Sequence, residues 1–535
     1  MLRLVIFILL LILTSISMSA GKPKLIVVIS YDQMRGDYPD KWQSIWGKKG
    51  FNRVRKDGIN FSQCYFDHAT NMTCPGHAVL LTGCYPVKTG IVSNDFYDKS
   101  LGKMCYCTSD SLYPVGGDYK KGRSPLLMKM PTLGDYLIEK YPKSKVMGIG
   151  LKDRSGIVMS GKKAQTVLWF DEETAELSTS TYYKSPQWLG KWNRKNSLHK
   201  FIGKVWNTSI PDSISVIDSV HWEGKYPGGS KIFPHKIPVD LNDKMCVEAF
   251  LVSPFSIEYL FAAVREMITR EDLGKDNSPD ILNIAVSTTD YVGHIFGPDS
   301  REVQELYVHA DRYLGEFIEF LDNKLGRDKY LLVITSDHGV GPIPEVVREI
   351  GLEKLDAGRL SKAKLRSDMN NYLHKFLPIG IQENLIERVE LPSVFINHQV
   401  LDKYKIDEEI LLDSLVDFTL RIEGMKLAAS TNKLKKSKPE LWDDDIWRMV
   451  KNDIFSARTG DMICYPKPYW IFGANPATHG TPYDYDRYVP FMLMGNSISR
   501  NEFLYKVTPA DIAPTLGNIL GIKMVDIDGQ ILQLK

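Results

Sequence analysis

The sequence predicts an α/β fold: a mostly parallel central sheet flanked by helices, carrying large insertions. Three observations predict it. Short apolar runs rich in β-branched residues recur along the chain. Amphipathic helical patterns lie between them. Acidic and imidazole side chains fall just beyond the ends of the apolar runs, where open α/β sheets bind ligands.

The first run, residues 24–31 (KLIVVISY), is continuously apolar and so fits a strand buried on both faces of a parallel sheet. Residues 145–150 (KVMGIG), 281–287 (ILNIAVS), 330–335 (YLLVIT) and 489–494 (VPFMLM) repeat the pattern. Helical periodicity covers 132–141, 257–268, 301–325 and 509–520. Strands alternating with helices argue for a parallel sheet. Two stretches break the alternation: 160–255, rich in Trp, Lys, Ser and Pro, and 341–470, where helical and extended pieces mix. Both are expected to be insertions on a single domain.

The N-terminus adds an export expectation. Arg3, an apolar run over 4–13 and small residues through Ser19 and Ala20 follow the pattern of a secretory signal. The run is shorter than the roughly 20 residues of a membrane span. The expected division is a signal peptide at 1–20 and one catalytic domain over 21–535, periplasmic or secreted, with no stable membrane association after cleavage. A net charge of +2 argues against a protein that coats nucleic acid. Of the seven cysteines, Cys64, Cys74, Cys84, Cys105 and Cys107 crowd together, with Cys246 and Cys464 apart. Export predicts that some pair, and the odd count leaves at least one without an intramolecular partner.

Asp32 follows the first run, Asp290 the third, and Asp337 with His338 the fourth. Asp290 and His294 are four apart, so a helical turn after the strand puts them on one face. Gly339 is expected to allow a sharp bend there. With His479, these make six nitrogen and carboxylate donors without thiolate, a set that suits catalytic Zn²⁺. Six exceed the needs of one tetrahedral ion with an open position. They suit two ions, which can clamp the attacking and leaving oxygens of an in-line displacement. Taken singly, each Asp also reads as a helix cap or turn former; the placement of all six after successive strands outweighs that reading.

The segment 71–83 (NMTCPGHAVLLTG) reads as a helix start, with Thr73 at an N-cap-like position and Pro75 in the first turn. A hydroxyl there sits at the positive end of the helix dipole, where an anion binds and a nucleophile can be activated. A plain capping threonine is the alternative. Cys74 is expected to be a metal ligand or disulfide partner rather than the nucleophile, and His77 to pack or hydrogen-bond within the helix. Asn94 offers an amide to a phosphoryl oxygen, Lys152 a point charge and Arg154 a bidentate fork.

These residues, in this order and spacing, resemble the alkaline phosphatase superfamily. The chain is most similar to the monomeric, phosphate-irrepressible periplasmic alkaline phosphatases of flavobacterial type, which use a threonine nucleophile. The resemblance runs from Lys24 to the segment 508–516 (TPADIAPTL). It implies one zinc on Asp290, His294 and His479, and a second on Asp32, Asp337 and His338, completed by Thr73. It implies that Asn94, Lys152 and Arg154 hold phosphoryl oxygens, and that phosphate monoesters are hydrolysed through a phosphothreonine intermediate by a monomer. The Cys-x-Pro-x-Arg motif of sulfatases is absent, since Thr73-Cys74-Pro75-Gly76-His77 stands in its place. No ligand set for a third metal ion is evident in the sequence. A phosphodiesterase or nucleotide pyrophosphatase of the same superfamily is the alternative, disfavoured by Lys152 and Arg154. A non-catalytic exported binding protein is a more distant one.

Overall fold

The computed structural model describes residues 21–534 apart from 219, 241–243, 351–354, 377–382, 438–444 and 497. The expected signal peptide lies outside the described residues. Among the described residues, thirteen strands build the two larger sheets. They are β1 (Leu25–Tyr31), β2 (Ile59–Phe61), β3 (Val146–Gly150), β4 (Thr166–Asp171), β5 (Glu176–Ser178), β6 (Asp280–Val286) and β7 (Tyr330–Thr335). They continue with β8 (Ile386–Glu390), β9 (Ser393–Ile396), β10 (Met425–Ser430), β11 (Met462–Pro466), β12 (Phe491–Gly495) and β13 (Asn501–Phe503).

Nine of these form one sheet in the order β13-β2-β12-β7-β1-β6-β3-β4-β5. Its centre, β7-β1-β6-β3-β4, is parallel. The run at 489–494 becomes β12, which pairs antiparallel with β7. The sheet is therefore mixed toward its edges. The stretch 160–255 is not wholly peripheral, because β4 and β5 within it extend the central sheet.

The seven residues of β1 are all buried. Leu25, Val27, Ile29 and Tyr31 enter one core and Ile26 and Val28 the other, as the two-residue period of a strand requires. Each fully buried aliphatic side chain contributes about 1.5–3 kcal/mol relative to exposure. The helices that cover the sheet are α1 (Thr73–Thr82), α2 (Leu133–Lys140), α3 (Asp153–Ser160), α4 (Pro254–Arg270), α5 (Thr288–Phe296), α6 (Arg301–Lys324) and α7 (Ile512–Leu520). Apolar residues of α4, α5 and α6 pack on one face, and those of α1, α2, α3 and α7 on the other. Starts follow capping chemistry: Thr132 and Asp135 form a capping box at α2, and Ser300 accepts from Val303 N at α6. The helix expected over 509–520 opens with a tighter 3₁₀ turn at Pro509–Asp511 before α7 begins.

Much of the stretch 341–470 builds a layer of its own. Strands β8, β9, β11 and β10 form a four-stranded sheet, packed against helices over a separate apolar core. Its strand β11 lines a cavity together with His479.

The parallel register places the site. Tyr31 lies opposite Val286 and Ser30 opposite Thr335, so β1, β6 and β7 end at one level. The residues that follow them leave the sheet from the same edge.

Because β1 is central, Ile29→Ala is expected to destabilise the protein by about 2–5 kcal/mol through cavity formation. A urea titration checks this, with the lowered midpoint as the outcome.

Candidate active site

Asp32, Asp290 and Asp337 converge at that edge, each buried. Asp32 follows β1 directly, and its amide donates to Val286 O at 3.0 Å. Helix α5 starts right after β6 and brings Asp290 and His294 together, with His294 Nε2 3.2 Å from Asp290 Oδ1. His479 Nε2 lies 3.5 Å from the same oxygen. On the other side, His338 Nε2 is 3.4 Å from Asp32 Oδ1 and 3.3 Å from Asp337 Oδ2. The rings of His338 and His479 stack at 3.6 Å between centroids, so the two groups of donors adjoin.

The three histidines share one orientation. Nδ1 of His294, His338 and His479 lies 2.9, 2.9 and 2.8 Å from the carbonyl oxygens of Ala477, Gly339 and Asn71. A carbonyl only accepts, so each Nδ1 carries a proton and each Nε2 is the nitrogen left to face the donor cluster. That arrangement fixes the tautomer of a metal-binding imidazole. Burial, only partly offset by Asp337, pulls the pKa of His338 down to about 3 and keeps its ring neutral.

Residues present at the site fit metal ions. Asp32 Oδ1, Asp337 Oδ2 and His338 Nε2 are buried without a hydrogen-bond partner. Leaving such atoms unsatisfied is costly, and they point to a missing partner of positive charge. Donor atoms of Asp290, His294 and His479 lie within 4.8 Å of one another, as do those of Asp32, Asp290 and His338. Asp290 thus belongs to both groups, while Asp337 contributes its Oδ2 beside His338.

Burial and the nearby Asp337 raise the pKa of Asp32. Burial would also raise Asp290, but His294 and Lys152 outweigh it and hold that carboxyl below its usual range. The same contest lowers Asp337, where His338 and His77 prevail over burial.

Lys152 sits in the middle. Its Nζ is 2.8 Å from Asp32 Oδ2 and 2.5 Å from Asp290 Oδ2, and it is only 5% exposed. Burial disfavours its charge, but the two carboxylates outweigh burial and raise its pKa. One oxygen of each carboxylate is therefore engaged by the ammonium. An ammonium has three donors, so one hydrogen is left over.

Thr73 opens α1, but the N-cap position belongs to Met72, one residue earlier than expected, and Met72 makes no side-chain cap bond. Asn94 Oδ1 accepts from Cys74 N at 2.8 Å, which satisfies one of the helix-start amides. The Asn94 side chain is thereby anchored through its oxygen, and its amide hydrogens can turn to a ligand. His77 Nδ1 donates to Thr73 O at 2.8 Å, so His77 bonds within the helix as expected. Cys74 is disulfide-bonded to Cys107. Cys64, Cys84, Cys105 and Cys464 are buried thiols.

Arg154 lies in the first turn of α3 and lines a cleft of about 460 Å³ with Lys152, Tyr106, Tyr291 and Glu172. A second cavity, of about 150 Å³, adjoins His479 and Met72 and is walled by Tyr469, Trp470 and Tyr485. Part of that wall comes from the 341–470 stretch.

A family model for type I phosphodiesterases and nucleotide pyrophosphatases matches residues 26–484. Alkaline phosphatase PafA of Elizabethkingia meningoseptica is 31% identical over 94% of this chain and 92% of its own. The chain belongs to the alkaline phosphatase superfamily. Alkaline phosphatase PhoV of Synechococcus elongatus is 28% identical over 94% of this chain and 91% of that protein. The solved structure of wild-type PafA superposes with a TM-score of 0.88 at 29% identity, covering 96% of this chain and 99% of that one. A PafA variant with one threonine, one asparagine, one lysine and one arginine replaced gives 0.89 over the same shares.

Within this superfamily fold, sequence reasoning overlooked several supporting residues. Gln33, held at φ 69°, donates from Nε2 to Asp290 Oδ1 at 2.7 Å and from its backbone N to Asp337 Oδ1 at 3.2 Å. It thus links both groups of donors. A Cβ at Gly293 would lie 1.8 Å from Gln33 Oε1, and one at Gly76 would lie 2.0 Å from Asp337 O. Both glycines serve close approach. So does Gly339, whose φ is not positive; a Cβ there would meet Tyr485 O at 2.3 Å. The chain does bend at Asp337, and Gly339 serves that turn by its close packing rather than by a positive φ. The adjacency of Gln33 to Asp32 was the one available signal, because hydrogen bonds across 257 positions leave no local pattern.

Gln33→Ala is expected to weaken metal binding by about 10–100-fold, the usual cost of losing a residue that orients a ligand. A competitive chelator titration checks it.

Proposed function

We propose that this chain is an alkaline phosphatase: an exported phosphomonoesterase that binds two zinc ions and uses Thr73 as nucleophile. One observation carries the reading. Carboxylate and imidazole atoms that lack partners converge at one sheet edge, at the site that also holds Lys152. Relatives named as alkaline phosphatases, aligned over nearly the whole chain, support it. The residue types replaced together in the PafA variant are those of Thr73, Asn94, Lys152 and Arg154. Export is supported by the apolar run at 4–13 and by the Cys74–Cys107 disulfide, a bond favoured in oxidising compartments.

Asp290, His294 and His479 would hold one ion, and Asp32, Asp337 and His338 the other, with the Thr73 hydroxyl joining the second group. Zinc bound there would stabilise charge on the attacking and leaving oxygens. The chain's own groups do the rest. The start of α1 favours negative charge on the Thr73 oxygen as it attacks phosphorus. As the Thr73 oxygen bonds to phosphorus, the P–O bond to the alcohol breaks, and the alcohol leaves with the proton that Thr73 gives up. Water then hydrolyses the phosphothreonine to inorganic phosphate and free Thr73. The guanidinium of Arg154 and the amide of Asn94 hold nonbridging oxygens, and Lys152 adds charge between the donor groups. Because a monoester dianion carries more charge than a diester, these cations favour the monoester. That selectivity argues against a phosphodiesterase.

Thr73→Ala is expected to lower kcat/KM by on the order of 10³-fold or more while metal content is unchanged. High residual turnover in a metal-loaded variant would remove the nucleophile assignment. Chelation is expected to abolish turnover, with Zn²⁺ restoring it better than Mg²⁺ in a metal add-back assay. The Lys152→Ala, Arg154→Ala double variant is expected to lose more activity on an aryl monoester than on the matching diester. Equal losses would sink the selectivity argument.

A further inference from the structure

We propose that the Tyr106 hydroxyl is the positioning group for Arg154, holding its guanidinium ready for a phosphoryl dianion. The inference rests on the reading of Arg154 as a phosphoryl-binding residue. Arg154 Nη1 donates to Tyr106 Oη at 3.3 Å. Among the described residues, no other side chain hydrogen-bonds this guanidinium, and its Nε is buried without a partner. The arginine is thus fixed at one corner and left with donors unspent beside Lys152.

The Tyr106 hydroxyl is itself fixed. It donates to Asp153 Oδ1, which also accepts from Arg154 N at 2.7 Å. Arg123 Nε donates to the other oxygen of Asp153, and its guanidinium lies 4.8 Å over the Tyr106 ring. Burial and Asp153 raise the phenol pKa, so the hydroxyl stays protonated and keeps its donor role. An unanchored arginine loses rotamer freedom when it grips a ligand, and anchoring it beforehand removes that cost from binding.

Tyr106 is also tied to the nucleophile. Strands Asp95–Asp98 and Lys103–Tyr106 form a hairpin that begins just after Asn94 and ends at Tyr106. Cys107 N donates to Asn94 O at 2.9 Å and closes it. The Cys74–Cys107 disulfide then joins the hairpin to the residue after Thr73. One hairpin therefore sets Asn94 directly, and Arg154 through Tyr106, relative to the attacking oxygen.

The test uses metal-loaded full-length protein with Tyr106→Phe, Arg154→Ala and the double variant. Tyr106→Phe is expected to lower kcat/KM for an aryl phosphate monoester by about tenfold, within the range of hydrogen bonds to charged groups. It is expected to lower diester turnover by less than about threefold and to weaken inhibition by inorganic phosphate about tenfold. Added to Arg154→Ala, it is expected to cost nothing further, since the two residues act as one unit. A general packing defect would instead lower both substrates equally and add to Arg154→Ala. That result, or an unchanged Tyr106→Phe enzyme beside a crippled Arg154→Ala one, would overturn the inference. An Arg154→Ala enzyme with full monoester activity would overturn the underlying reading instead. Should Tyr106→Phe fail to fold, Asp153→Ala removes the acceptor that fixes the hydroxyl. The same monoester-selective loss, absent in the Arg154→Ala background, is then expected, and an additive loss counts against the inference.

Discussion

Three carboxylates, Asp32, Asp290 and Asp337, are buried beside one another where the central strands end, and they repel. A cluster of like charges removed from water is stable only if opposite charge and donors surround it. The rest of the site answers that demand. Lys152 engages an oxygen of Asp32 and one of Asp290. Gln33 supplies an amide to Asp290 and a backbone N–H to Asp337. What these leave unpaired is Asp32 Oδ1, Asp337 Oδ2 and His338 Nε2, a group that bound positive charge would satisfy. The instability of the site without ions and its capacity to bind them are the same physical fact.

Lys152 is placed by its two carboxylate partners before any ligand arrives. Held between two carboxylates, it is not a mobile surface charge but part of the framework, raised in pKa by both partners. A charge so placed acts on whatever anion occupies the cleft, without paying to be ordered at that moment. Arg154 is anchored in the same spirit from the opposite side, through α3 and Tyr106.

The layer built by β8 to β11 has its own core, so its sequence answers first to its own packing. It nevertheless brings Tyr469 and Trp470 to the cavity beside His479. The candidate donors thus gather at the edge of the sheet, while part of the surrounding wall comes from elsewhere in the chain. Loops and insertions vary more readily than a buried parallel sheet, which suits them to shaping access to a fixed centre.

By itself, the sequence determined the α/β core and singled out six carboxylate and imidazole donors, with Thr73, Asn94, Lys152 and Arg154, as candidates. A strand buried on both faces must be continuously apolar, and the polar residue that ends it is visible for that reason. Only the tertiary structure decided that Lys152 bridges Asp32 and Asp290, that Gln33 links the donor groups, and that Cys74 pairs with Cys107. It also decided that β12 runs antiparallel and that 166–178 joins the main sheet. Those outcomes depend on distances between segments far apart in the chain. Local periodicity and spacing report what each segment buries, and carry no information about which distant segment it meets.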